Sequence, residues 1–374
     1  MTFKSVFIGC GPRANRHGEA YAHVRSFQLS AIADLDPARL AKIGDKFNVA
    51  ARYSDFRQML REVKPELVHC VTQPKFRVEP VQACADAGVK AIIIEKPMAE
   101  TLDDALKIEQ IAQKTGIKVI VNTQRRYFPS WRNLCELIHS GKAGEIRRIH
   151  LVSNPPVSCI GSHVLDMVQL LMHDADPLTV WGATYGAEDW HTTHPGPASM
   201  MASIMYPGRI PLTMEMSKDA VGIKGCPSFW GSFGFDILTT KGHVWWTESN
   251  NWGYQLHGMA QPTIHTTNFA TDDAPGQGAF TEAIARWLEN PAVPHGNRLE
   301  TALRVYRIVC TIMQSAVENR RLNFDPQCRN DPFAALRAKL VASEGDHPER
   351  VDWATCVDRA PTPPPAPTPV PAKA

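Results

Sequence analysis

The sequence predicts an α/β protein made of a doubly wound parallel sheet followed by a second, α+β domain. Three observations carry this. Short apolar strands alternate with helical stretches from Lys4 to Asn122, the pattern of a parallel sheet covered by helices on both faces. The first strand breaks into Gly9-Cys10-Gly11-Pro12-Arg13-Ala14, a turn that lets backbone approach a phosphate. After Asn122 the alternation gives way to longer strands. The expected boundaries are 1–123 for the nucleotide-binding domain, 124–345 for the second domain and 346–374 for a proline-rich tail.

The elements follow in order. Lys4 to Gly9 is a strand that ends in G-x-G-x-x-A. The first glycine makes the tight turn, the second admits a pyrophosphate, and the small Ala14 lets helix and strand pack closely. The helix expected from Arg13 to Arg25 aims its N-terminal N–H groups at those phosphates. A second strand, Gln28 to Ala33, ends in Asp34, roughly 20 residues beyond the glycines, where a carboxylate meets an adenosine ribose. An acid there repels a 2′-phosphate and favours NAD, while Arg13 and Arg39 keep NADP open. Asp36 before Pro37 is an alternative N-cap. Leu67 to Thr72 is a strand ending at Gln73-Pro74, Val78 to Ala87 a helix closed by Gly88.

Ala91 to Ile94 is a buried strand that ends on Glu95-Lys96-Pro97. Pro97 stops regular pairing, and ligands of open α/β sheets bind at such carboxyl ends. By type alone Lys96 is equally a solvated charge. Thr101 then caps a helix, Leu102 to Thr115, closed by Gly116, and Lys118 to Asn122 is the next strand. In the second half, helices are expected at 129–141, Ala279 to Trp287, Glu300 to Asn319 and Pro332 to Glu344. Strands are expected at Gly144 to Val152, Met200 to Tyr206, Arg209 to Met216, Gly234 to Leu238 and around Thr240 to Trp246.

Composition narrows the function classes. Of 374 residues, 44% are hydrophobic and 21% charged, with a formal net charge of +2. That is an ordinary globular balance, with no electrostatic case for nucleic acid or an acidic membrane. Nine scattered cysteines without a C-x-x-C pair indicate neither a disulfide framework nor a zinc ribbon. With no signal-peptide pattern at MTFKSVFIG, the expected location is the cytoplasm. His191 and His194 lack helical spacing and a carboxylate pair, so no metal site is expected. The tail from Pro361 has polyproline character, with disorder as the default for such a terminus.

Several of these pieces, taken in order, resemble the Gfo/Idh/MocA oxidoreductases, which include glucose–fructose oxidoreductase and inositol dehydrogenases. They are the glycine turn, Asp34, Glu95-Lys96-Pro97-Met98-Ala99, Gln124-Arg125-Arg126-Tyr127-Phe128-Pro129, Gly161-Ser162-His163-Val164-Leu165-Asp166 and the late helix Leu299 to Arg321. The resemblance implies a Rossmann domain, then an open, largely antiparallel sheet that covers the nicotinamide and makes a homodimer or homotetramer. It implies that NAD, or NADP, lies over Gly9, Gly11, Pro12, Arg13, Ala14 and Asp34, and over Thr72, Gln73, Pro74, Glu95, Lys96 and Gln124. It also implies that Lys96, Arg126, Tyr127 and His163 meet a sugar or polyol substrate, with Lys96, His163 and Asp166 catalytic. On its own, His163 on an apolar helix is an ordinary core residue. Beside a lysine it suits proton transfer to or from a secondary alcohol.

The sequence departs from that family at one position. Cys159 stands where its dehydrogenases commonly carry an Asp, after Pro155-Pro156, a pair that would not continue a helix. Asp166 shares a helix face with His163 and either compensates or is a structural acid. Two other readings share these residues. One is an enzyme that retains NAD and transiently oxidises a sugar to cleave a glycoside. The other is a dinucleotide-responsive regulatory protein without catalysis.

Overall fold

The computed structural model describes residues 2–345 apart from 193, 224, 225 and 227. The proline-rich tail expected over 346–374 lies outside the described residues.

The first sheet is built from β1 (Phe3–Ile8), α1 (Pro12–Glu19), β2 (Phe27–Ala33), α2 (Pro37–Lys46), β3 (Ala51–Tyr53), α3 (Phe56–Val63), β4 (Leu67–Cys70), α4 (Val78–Asp86), β5 (Ala91–Glu95), α5 (Leu102–Thr115) and β6 (Lys118–Asn122). Its six strands run in the order β3-β2-β1-β4-β5-β6, all parallel. The order reverses between β1 and β4, which opens a crevice at their carboxyl ends. Both faces are covered, so β4 and β5 are buried at every residue. Thr101 caps α5 by accepting from Asp104 N, and Gly116 closes it at φ 76°. Asp36 caps α2 through Ala38 N and Arg39 N. The helix expected over residues 13–25 stops at Glu19 and tightens into a 3₁₀ turn, Ala20–His23.

The second half holds α6 (Pro129–His139), β7 (Ile146–Ser153), α7 (Ser162–Leu171), β8 (Thr179–Tyr185), β9 (Ser199–Tyr206), β10 (Ile210–Ser217), β11 (Phe233–Thr239), β12 (Gly242–Thr247), β13 (Asn251–Leu256), β14 (Thr263–Thr266), α8 (Phe269–Glu289), α9 (Leu299–Glu318), β15 (Leu322–Asn323) and α10 (Phe333–Glu344). Nine strands form an open sheet in the order β14-β13-β12-β11-β7-β10-β9-β8-β15, antiparallel except where β7 meets β10. One face packs on helices. β12 accordingly alternates buried and half-buried residues, and Trp246 meets Trp131 edge-on at 5.6 Å.

Helix α8 begins at Phe269 rather than Ala279, and carries Pro275, Gly276 and Gly278 inside it. These are breakers by local rules. Here a Cβ on Gly276 would lie 2.7 Å from the Phe128 ring and one on Gly278 2.5 Å from His23 Cβ. The glycines therefore let α8 lie close on both halves. Helix α9 joins the halves too. Leu299, Leu303 and Tyr306 enter the core of the parallel sheet, while Val305, Ile308 and Ile312 enter the core of the larger one.

Candidate active site

The site lies where the crevice of the parallel sheet faces the turn that opens α7. At the nucleotide end, Gly9 adopts φ +93°, and a Cβ there would lie 2.6 Å from the Val71 carbonyl oxygen. Gly11 is different: a Cβ would meet nothing within 4 Å, so the space in front of it is open. Gly11 is the N-cap of α1 and offers no side-chain cap to the helix N–H groups. Asp34 accepts from Cys10 N at 2.6 Å and Asp36 N at 2.8 Å, which fixes its carboxylate and leaves lone pairs for hydroxyl donors. Leu35 beside it is 90% exposed. Gln124 donates to Asp273 at 2.8 Å, while its Oε1 is buried without a partner. This open cradle, helix N-terminus, carboxylate and orphaned acceptor fit a dinucleotide with a carboxamide at one end. Of the arginines that kept NADP open, Arg13 pairs with buried Glu95 at 3.0 Å, whereas Arg39 meets Asp36 at 3.3 Å in an exposed pair through Nε.

Glu95 is held from several sides. Its Oε1 accepts from His17 Nε2 at 2.7 Å, Asn122 Nδ2 at 2.7 Å and Arg13 Nε at 3.0 Å. Burial opposes its charge, yet Arg13, His17 and Asn122 together hold the carboxyl well below its usual range. Behind it runs a buried chain: His17 Nδ1 meets His69 Nδ1 at 2.9 Å, and His69 Nε2 meets the Tyr21 hydroxyl at 3.1 Å.

Lys96 follows Glu95, and its Nζ donates to the Cys159 carbonyl oxygen at 2.6 Å. Burial, helped by Arg125 and Arg13, pulls its ammonium down to about 8. Cys159 sits in a single π turn, Val157–Gly161, that starts directly after Pro156 and runs into α7. The prolines thus start the helical segment rather than prevent it. The backbone of Cys159 holds the lysine, and burial pushes its thiol above the usual value.

His163 is the second residue of α7 and is 3% exposed, with Nδ1 buried and unpartnered. Burial, then Arg125, Lys96 and Arg13, hold it well below its ordinary value, so the free imidazole is neutral. Asp166 directs its oxygens elsewhere, to Arg126 at 2.9 Å and Asn297 at 2.7 Å. Arg126 also takes both oxygens of Asp174 at 2.7 Å. Tyr127 stacks on His295 at 5.3 Å and accepts from Gly296 N at 3.3 Å.

Sequence reasoning passed over three features. His17 and His69 are ordinary residues of a helix and a strand until the fold brings them together. Arg125 lies over Phe128, Phe233 and Phe269 and donates its Nε to Glu248. His194, considered only as a metal ligand, borders a cavity of about 70 Å³ with Pro97, Ser158 and Ser162. That cavity is lined by neither Lys96 nor His163. Burial, Lys96 and Arg77 bring His194 down to about 4.

Residues 3–123 match the family model described as oxidoreductase family, NAD-binding Rossmann fold. That domain is thus similar to the Gfo/Idh/MocA oxidoreductases, and the match is confined to it. Among the relatives of this chain is a 1-carboxy-3-chloro-3,4-dihydroxycyclohexa-1,5-diene dehydrogenase of Comamonas testosteroni. It is 32% identical over 34% of this chain and 32% of its own length. A D-apiose dehydrogenase of Paraburkholderia graminis is 26% identical over 47% of this chain and 51% of its own. The matched segment thus spans a third to half of these curated relatives. The fold likeness reaches further. An oxidoreductase from Agrobacterium radiobacter, solved with NAD+, L-tartaric acid and magnesium, superimposes with a TM-score of 0.75 over 87% of this chain and 99% of that one. Its identity is 18%, so the likeness is one of fold. Among the described residues no helix is long and apolar enough to cross a membrane.

Proposed function

We propose that this chain is an NAD(P)-dependent oxidoreductase of the Gfo/Idh/MocA type, acting between a secondary alcohol and a ketone of a sugar, polyol or sugar acid. The observation that carries the reading is the 2.6 Å bond from Lys96 Nζ to the Cys159 carbonyl. It ties the end of β5 to the turn that presents His163 four residues on. The activities of two relatives, dehydrogenation of a carboxylated cyclic diol and of D-apiose, support the same class.

Bound nicotinamide supplies two-electron exchange at its C4 carbon. The chain supplies position and protons. Lys96, cationic at neutral pH, donates to the reacting oxygen and stabilises negative charge developing there. Neutral His163, whose Nδ1 is sealed in the core, exchanges the hydroxyl proton through its other ring nitrogen, Nε2. Glu95, fixed by His17, Asn122 and Arg13, keeps an anion beside the lysine. Gly9, Gly11 and the start of α1 receive the pyrophosphate, and Asp34 the ribose. A cytoplasmic homo-oligomer completes the reading, paired through the outer face of the larger sheet, where Tyr185, Met201 and Leu238 are exposed.

The test is absorbance of the reduced nicotinamide band while sugars, polyols and sugar acids are added with NAD, then NADP. Formation of NADH that is lost in His163→Ala and Lys96→Met supports the reading. Cofactor binding without turnover of any substrate would sink it.

A further inference from the structure

We propose that Arg125 is a carboxylate receptor, so that the molecule taken up beside Lys96 and His163 is a polyhydroxy acid rather than a neutral sugar. The inference rests on the oxidoreductase reading and names the substrate class of that same site.

Arg125 stands in the 3₁₀ turn Gln124–Tyr127 at the carboxyl end of β6 and is 9% exposed. Its guanidinium lies 5.9 Å from the Phe128 ring, 5.5 Å from Phe233 and 5.3 Å from Phe269. These rings come from the start of α6, from β11 and from α8. Nε donates to Glu248, itself buried. Rings and ion pair together fix the plane of the group and leave it little rotamer freedom.

The outer edge of the guanidinium is unfilled. Among the described residues neither terminal nitrogen has a hydrogen-bond partner. Unlike Gln124 Oε1 and His163 Nδ1, neither is sealed from solvent. Arg126 differs, being filled by Asp166 and Asp174, and Arg13 bonds Glu95 through Nε with its Nη1 3.9 Å from Asp273. The two terminal nitrogens of an arginine form a fork that matches a carboxylate through two parallel bonds. A hydroxyl fills one donor at a time and brings no charge. The segment leading into His163, residues 149–162, contains no carboxylate that would repel an anion.

The charge of Arg125 also reaches His163. Of the charges that hold His163 below its ordinary value it acts most strongly, ahead of Lys96 and Arg13. A carboxylate bound on Arg125 would offset that effect and make His163 a stronger base only when substrate is present.

The experiment compares matched pairs, D-gluconate with D-glucitol and D-glucuronate with D-glucose. Their binding to the NAD-loaded protein is followed by titration calorimetry. Because Arg125→Gln leaves Glu248 buried without its cation, the double variant Arg125→Gln/Glu248→Gln is measured beside it. The expected result is at least tenfold tighter binding of an acid than of its neutral partner, with that preference lost in the double variant and NAD affinity unchanged. Equal or tighter binding of the neutral members, binding of no acid, or a preference that survives the double variant overturns the proposal. NADH formation separates this from the broader reading. Turnover of neutral sugars alone leaves the oxidoreductase standing without the carboxylate receptor. An Arg125-dependent acid that yields no NADH does the reverse.

Discussion

The ammonium of Lys96 and the carbonyl oxygen of Cys159 lie 2.6 Å apart, bridging a strand end in the parallel sheet and a π turn that opens onto the larger one. A carbonyl is a fixed acceptor that no change of pH can protonate. It aims the lysine without neutralising it. Lys96→Met should therefore reduce turnover by roughly 10²–10⁴-fold while NAD still binds. The check is single-turnover NADH formation beside a cofactor titration. Full activity in Lys96→Met would remove the lysine from the chemistry.

The same lysine sets the pH profile. Its ammonium, brought from 10.5 to about 8, is charged below that pH and neutral above it. Ketone reduction, which needs the cation, should hold steady below about pH 8 and fall above it. Alcohol oxidation, in which the same cation stabilises the developing alkoxide while His163 takes the proton, should fall above the same point. Lys96→Arg, always charged, should flatten both limbs near pH 8. A profile with no inflection there in the native protein would count against this role.

Two glycines in one turn should respond differently. Gly9→Ala puts a Cβ against the Val71 carbonyl at φ +93° and should cost about 1–3 kcal/mol of stability, read by denaturant midpoint. Gly11→Ala meets open space and should leave stability within about 0.5 kcal/mol while weakening NAD binding. Unchanged NAD affinity in Gly11→Ala would show that the pyrophosphate lies elsewhere.

Asp34 should select NAD. Asp34 ends β2 where a 2′-phosphate would have to lie, and Arg13 is turned away to Glu95, so that Arg39 in its exposed pair with Asp36 is the cation of this turn left to oppose that selection. The expected kcat/KM for NAD exceeds that for NADP, and Asp34→Ser narrows the gap. Equal use of both cofactors by the native protein would contradict the assignment.

Arg126 joins Asp166 of α7 to Asp174 just beyond that helix. Removing it leaves Asp166 as an uncompensated buried charge, so Arg126→Met should lower unfolding stability by about 3–5 kcal/mol. A variant of native stability with only KM raised would instead place Arg126 on the substrate.

Much of the first half was legible because its signals are local. The apolar run Ala91–Ile94, Thr101 before acidic residues and Gly116 after Thr115 give the strand, cap and stop of that unit within a few residues of each other. β3 was not legible because a strand of three residues carries no period. The start of α8 was missed because Pro275, Gly276 and Gly278 obey contacts with Phe128 and His23 rather than local propensity. At the site, the types of Lys96, His163 and Asp34 were visible, but their partners were not.

The sequence by itself determined the alternating elements, the glycine turn, the acid that ends β2 and a lysine at the end of a buried strand. Each depends on neighbours along the chain. Only the tertiary structure decided that Lys96 is held by a carbonyl 63 residues away, Arg125 by Glu248 123 residues away, and Asp166 by Asn297 131 residues away. Those contacts exist because α8 and α9 pack against both sheets. The docking of two cores leaves no periodicity in the chain from which a pairing can be read.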